Sequence, residues 1–224
     1  LGPGYTDLDI GDVDLADDIF FQQFDAFDSS GFDLILESTS LVLADGDPVV
    51  TWLDESGNNN HVTQATSGNR GTYETLETRS NKPVVRLDGN DDFYESLKNM
   101  PGGGGPVFIS MVVLTRTGTD THQTLVGWGN RSADEMVCLE PYGPGTAPNF
   151  SSYANDLEAS GALGAGLFHI VTIAWPGGTS TARLRVDGVE YTKAFTAKAT
   201  VPSVLRVVIA VNPDSNHPAN CDYG

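Results

Sequence analysis

Asp88-Gly89-Asn90-Asp91-Asp92 gathers three carboxylates and an amide around one glycine. Calcium takes about six to eight hard oxygen ligands, and such a run supplies them in a single turn. Asp88, Asn90, Asp91 and Asp92 are therefore the candidate metal ligands, with Ca2+ as the ion. The same side chains have a structural use, because Asp and Asn accept hydrogen bonds from nearby backbone N–H groups and shape turns. Turn shaping is the stronger reading of the two. Asp54, Ser56, Gly57 and Asn58 invite the same comparison, again in favour of turn chemistry.

Other chemistries find no pattern. No G-x-S-x-G, H-E-x-x-H or C-x-x-C occurs. The glycines at 102–105 lack the Lys and Ser/Thr of a phosphate-binding loop. The aspartates near the N-terminus miss the Gly and Glu that an EF-hand loop requires at its sixth and twelfth positions. They read as a solvated acidic face. The four histidines are scattered, and His169 lies within a strand pattern, as a satisfied core or edge residue does. Cys138 and Cys221 admit two readings. A bridge would close a loop worth ~4 kcal/mol on the chain-entropy model. Two thiols packed as small apolar groups is the preferred alternative.

Charge narrows the partners. The 224 residues carry 12 basic and 30 acidic side chains, a net of −18. Phosphate backbones and anionic lipid are recognised by clustered Lys and Arg, so neither nucleic acid nor a membrane surface is an expected partner. No apolar run is long enough to span a bilayer, and none reads as a signal peptide. The chain starts at Leu1 rather than Met, so processing or a longer parent chain is expected.

The elements that must position these residues are strands. Residues 49–53, 84–87, 107–115, 123–128, 136–140, 149–153, 167–175, 181–186, 189–192 and 204–211 form short apolar runs between turn formers. The runs at 107–115 and 167–175 are long and β-branched, as buried central strands are. Asp187-Gly188 is the strongest hairpin signal, because Asp-Gly suits a type I′ turn. After residue 30 no helix of more than two turns is expected. Many strands at this spacing predict an all-β, antiparallel two-sheet β-sandwich over residues 32–224.

Residues 1–31 are different. Up to position 69 the chain holds 14 acids and no Lys or Arg, while the remainder holds 16 acids and all 12 bases. Aspartates alternate with Leu8, Ile10, Val13 and Leu15, then Ile19, Phe20, Phe21, Phe24 and Phe27 follow. A solvated linker rarely carries so many large apolar residues. This acidic N-terminal arm is expected to dock, either along its own sandwich or on a neighbouring subunit, with those five residues as its contacts. Other subunits of an oligomer or virion are the expected partners.

Trp52–Gln64 (WLDESGNNNHVTQ), Pro83–Phe93 (PVVRLDGNDDF) and Phe168–Tyr191 (FHIVTIAWPGGTSTARLRVDGVEY) together resemble the laminin-G-like branch of concanavalin A-like sandwiches. The resemblance spans roughly residues 32–224 and implies a jelly-roll sandwich. It also implies a virion, extracellular or cell-surface setting, because such modules occur in bacteriophage tail, fibre and decoration proteins and in bacterial surface proteins. Family members end on a strand of the type G-x-I-x-E-h-h-h-Y, whereas this chain ends Asp222-Tyr223-Gly224. A missing closing strand, supplied by another chain, is one expectation that follows.

The resemblance sharpens two tests of function. Glucanases of this class use paired carboxylates in E-x-D-x-x-E or E-x-D-x-E segments, one as acid and one as nucleophile. No Glu here has an Asp two positions later, so no catalytic residue is assigned and the chain is read as a non-enzyme. Lectin-like modules stack an exposed aromatic on the sugar face and bind hydroxyls with amides and charges. Trp128 with Asn130 and Arg131, Tyr142, and Tyr153 are the carbohydrate-binding candidates, against ordinary edge packing. Trp52 and Trp175 read as core. Asn130-Arg131-Ser132 and Asn149-Phe150-Ser151 fit the glycosylation sequon. A structural virion or surface protein with a lectin-like module is the leading reading, and a dedicated carbohydrate-binding module is the alternative.

Overall fold

The computed structural model describes residues 32–77, 80–88, 91–100, 105–114, 125–129, 136–142, 147–152, 155–159, 163, 166–195 and 203–208. Their strands are β1 (Thr51–Trp52), β2 (Val62–Thr63), β3 (Thr72–Glu77), β4 (Lys82–Arg86), β5 (Phe93–Met100), β6 (Val107–Leu114) and β7 (Val126–Gly129). They continue as β8 (Met136–Tyr142), β9 (Ala147–Ser151), β10 (Asp156–Glu158), β11 (Phe168–Trp175), β12 (Thr181–Val186), β13 (Val189–Ala194) and β14 (Ser203–Val208). Helix is limited to two single 3-10 turns among these residues, and no helix is long and apolar enough to cross a membrane. The N-terminal segment with Ile19, Phe20, Phe21, Phe24 and Phe27 lies outside the described residues, as do Cys221 and the last residues of the chain.

Alternation writes the fold. Along β11 every second side chain is buried, namely His169, Val171, Ile173 and Trp175, and β12 buries Ala182, Leu184 and Val186 in the same rhythm. Side chains of period two point to opposite faces of a sheet, so these seven face one side. The four-stranded sheet runs β13-β12-β11-β6 and the eight-stranded sheet β1-β2-β5-β14-β7-β8-β9-β10, with every pairing antiparallel. Val126, Trp128, Val137, Leu139, Phe150 and Leu157 of the larger sheet share one core with Val171, Ile173, Trp175, Leu184 and Val186 of the smaller. This is an all-β antiparallel sandwich. Phe195 fastens the two layers, with its ring stacked 4.5 Å from Phe150 and edge-on to Trp175 at 5.4 Å. Each such buried ring contributes ~1.5–3 kcal/mol by leaving water.

A second core lies beneath the β3–β4 hairpin. Leu41, Val49, Val62, Tyr73 and Tyr94 form it, with Trp52 edge-on to Tyr94 at 6.5 Å. The Tyr94 hydroxyl donates to the Val49 carbonyl at 2.8 Å, which gives the buried ring its polar partner. Burial pushes that phenol well above its ordinary range.

One strand expectation needs correction. Residues 107–115 read as a buried central strand, but β6 is the outermost described strand of its sheet and exposes Phe108, Ser110 and Val112 on alternate positions. Its apolar run is thus two-faced rather than doubly buried. The strands β3 and β5 were not among the expected runs, because Glu74, Thr75, Glu95, Ser96 and Lys98 dilute their apolar residues. The hairpin at Asp187-Gly188 forms as its dipeptide implies, with φ of 49° and 83° at the two turn residues.

Candidate functional site

The acidic turn joins β4 to β5. Asp88, Asp91 and Asp92 each bring a carboxylate oxygen within 4.8 Å of the others. Asp92 is only 4% exposed, and one of its oxygens accepts the Asp88 backbone N–H at 2.8 Å. Asp88 in turn accepts the Asp91 N–H at 3.4 Å. The turn-shaping role is therefore present in the geometry, with Asp92 as its centre. Asn90 lies outside the described residues.

Electrostatics at this turn favour a positive guest. Desolvation raises the Asp92 carboxyl above its ordinary value, and the charges of Asp88 and Asp91 push it further, against the Asp88 N–H. Thr72, Glu74, Arg86 and Leu87 line the adjoining cleft of about 340 Å3 together with Asp88 and Asp92. Arg86 is held by Glu74 at 2.7 Å on the cleft wall. Donors that are all oxygen, all acidic and this close fit the coordination chemistry of a hard dication such as Ca2+. Asp88, Asp91 and Asp92 would hold it, and the ion would relieve the repulsion among them.

The second acidic turn, at Asp54, has no such surplus. Its carboxylate accepts the N–H groups of Ile35 and Ser56 at 2.9 Å, of Asn60 at 2.8 Å, and the Ser56 hydroxyl at 2.8 Å. Burial alone would raise this acid, but those hydrogen bonds together hold it below its usual value. The Asp54 N–H donates to Nδ1 of His61, so the imidazole proton sits on Nε2. Asn60 passes the order on by accepting the Lys98 N–H of β5 at 2.8 Å. Asp54 is a hub for backbone, with its oxygens already spoken for.

The carbohydrate candidates are dispersed. Trp128 is 5% exposed and sits in the sandwich core, so its ring face is closed to a sugar. This corrects the expectation of an exposed platform. Its inward position on β7, opposite Val137 of β8, is the physical reason. Asn130, Arg131 and Tyr153 lie outside the described residues. Tyr142 closes β8, where its backbone pairs with Ala147 of β9. Trp175 is core, as expected, and Trp52 is half-buried against the second core. Asn149 of the second sequon is 2% exposed within β9, which closes that acceptor in the folded chain.

Sequence reasoning passed over two relationships. His169 Nδ1 lies 2.6 Å from a carboxylate oxygen of Asp187, although eighteen residues separate them. The outward rows of β6, β11 and β12 combine Val112, Ile170 and Ala174 with Arg183 and Arg185. Either could have been found by writing the strands in register, which needs the pairing partners first. Cys138 is a buried thiol on β8.

No family model matches the chain, and no curated protein matches it. Among solved structures it is similar to the mouse laminin alpha1 chain, domains LG4-5, at 16% identity and a TM-score of 0.40. That alignment covers 53% of this chain, which spans about a third (32%) of the length of the laminin chain. The antiparallel sandwich built by the strand pairings is compatible with the laminin-G-like architecture that the turn motifs resemble.

Proposed function

We propose that this chain is a non-catalytic structural module of a virion or cell-surface assembly, in which the sandwich is a scaffold and the acidic arm a connector to other subunits. Attachment to glycans or a host surface is the secondary role of its lectin-like module. One observation carries this reading: the buried acids of the described turns are engaged in holding backbone. Asp54 takes three N–H groups and a hydroxyl, and Asp92 takes the N–H of Asp88. Groups committed in this way shape architecture. The arm supplies the other support, since its phenylalanines need cover and its acids need a basic surface.

A dedicated carbohydrate-binding module is the second reading, and it rests on the lectin-like resemblance of the turn motifs rather than on Trp128, which is buried. Full-length protein on a glycan array separates the two. Failure to bind any sugar at millimolar concentration removes the lectin reading, whereas tight, selective binding with a monomeric chain removes the assembly reading.

A further inference from the structure

The outermost described strands differ in how their edges are guarded. The larger sheet ends on β1, two residues long, and on β10, three residues long. Asp156 and Glu158 of β10 are exposed, and Lys193 Nζ donates to the Asp156 carbonyl at 2.7 Å. In the β3–β4 hairpin one strand carries Glu74 and Glu77, the other Lys82, Pro83 and Arg86. β13 carries Glu190 and Lys193. Short length, charge and proline each discourage a sheet edge from pairing with another chain. β6 has none of them. Its eight residues, Val107–Leu114, include no charged side chain, no proline and no glycine. They pair with β11 at every position without a bulge, and among the described strands β6 pairs with β11 alone.

The sequence of β6 also complements itself. In an antiparallel pair, residues directly opposite each other point to the same face of the sheet. A two-fold axis at Ser110 sets Ser110 against Ser110 of a second copy, and Phe108 against Val112 in both directions. Phe108 and Val112, 53% and 48% exposed, lie on the outward face. On the core-facing side Val107 then meets Val113, and Ile109 meets Met111, four residues that pack against the main core in the single chain. Apolar faces apolar and hydroxyl faces hydroxyl throughout 107–113. An axis at Met111 would instead set Ser110 against Val112, and one at Ile109 would leave Val112 and Val113 unmatched. Cross-strand pairs of aromatic and β-branched residues are the stabilising ones.

We propose that β6 is the edge at which two copies of this chain pair, antiparallel about Ser110, so that the two smaller sheets become one continuous sheet. The contact is isologous and closes on itself as a dimer. It uses no residue of the acidic arm and so goes beyond the assembly reading above, in which the arm joins the chain to other subunits.

Sedimentation equilibrium of the full-length chain across a wide concentration range, at 50 mM salt, tests it by charge exchange. The parent is compared with Ser110→Lys, with Ser110→Asp, and with an equimolar mixture of the two. Ser110 is exposed, so both variants should melt with the parent as dilute monomers. Expected is concentration-dependent association of the parent, weakened about fivefold in each variant by like charges across the axis, and returned to parent strength or tighter in the mixture. A mixture no tighter than its components overturns the pairing at Ser110. A parent that stays monomeric at all concentrations, as it would with β6 covered by its own chain, overturns the dimer. The Phe20→Ser/Phe21→Ser/Phe24→Ser variant separates the two interfaces. Association lost in that variant but untouched at Ser110 overturns this inference and leaves the assembly reading standing, whereas charge rescue at Ser110 with the arm altered supports the edge pairing by itself.

Discussion

Asp187 holds His169 from across a hairpin, with the carboxylate 2.6 Å from Nδ1 of a nearly buried imidazole. Its other oxygen accepts the Ile170 N–H at 2.9 Å, and its own N–H donates to the Ile170 carbonyl at 3.0 Å. A turn residue with φ of 49° thereby fixes the β12–β13 hairpin onto the start of β11. Asp187→Asn keeps the tolerance for a left-handed backbone and weakens the His169 contact, at an expected cost of ~1 kcal/mol. Asp187→Ala loses both and should cost ~2–3 kcal/mol. Urea unfolding of these variants and of His169→Gln, combined in a double-mutant cycle, should show a coupling energy; strict additivity would contradict the contact.

Asp54 predicts an acid sensitivity. Its carboxyl is lowered in the folded chain, so the stability it supplies is complete above the unfolded value of about 3.9 and is lost as pH falls through the lower folded value. Asp54→Ala strands the N–H groups of Ile35, Ser56 and Asn60 and should cost ~2–4 kcal/mol. Asp54→Asn keeps an acceptor and should flatten the pH dependence of unfolding below the ordinary aspartate value of about 3.9. An unchanged acid limb in that variant would count against the hub.

At Asp92 the sign reverses. Its carboxyl is raised by burial and by Asp88 and Asp91, so ionisation costs stability as pH climbs from the unfolded value of about 3.9 through the folded one. The cost persists at neutral pH. Asp92→Asn should therefore melt higher than the parent in chelator at pH 7, since its amide oxygen can still accept the Asp88 N–H. Millimolar calcium should stabilise the parent by about 2.7 kcal/mol at a hundredfold excess over Kd, read as a higher melting temperature, and leave the variant's melting temperature unmoved. Equal responses in the two proteins would remove Asp92 from the ligand set.

Gly71 explains how the acidic turn stays in place. A β-carbon there would lie 2.5 Å from Leu87 Cδ2 and 2.9 Å from the Arg86 carbonyl oxygen. The close approach lets Gly71 accept the Val49 N–H while β3 starts beside β4. Gly71→Ala should destabilise the chain by ~1–3 kcal/mol and blunt any calcium response, as a thermal melt would reveal.

What was legible followed from local chemistry. Asp-Gly at 187–188 fixed a turn type, and the long runs around β11 and β14 announced strands, because dipeptide conformation and side-chain period are properties of neighbours. The Asp88–Asp92 cluster was visible for the same reason. The position of a strand within its sheet was not. β6 and β11 read alike, yet among the described strands one is central and the other outermost, since the difference lies in pairings between distant segments. Trp128 deceived in a similar way. A tryptophan beside Asn130 and Arg131 looks like a binding platform, but its parity on β7 turns it inward. His169 and Asp187 lay eighteen residues apart and met only once the β11–β12 register was drawn.

The central claim is that this chain works by joining other subunits through its acidic arm. Comparing the full chain with one lacking residues 1–31, by sedimentation and thermal melting side by side, tests it most directly. The account predicts the same melting temperature for both, and association beyond the β6 pair by the full chain alone. Equal association by the two proteins, or a monomeric full chain that binds glycans selectively, would contradict it.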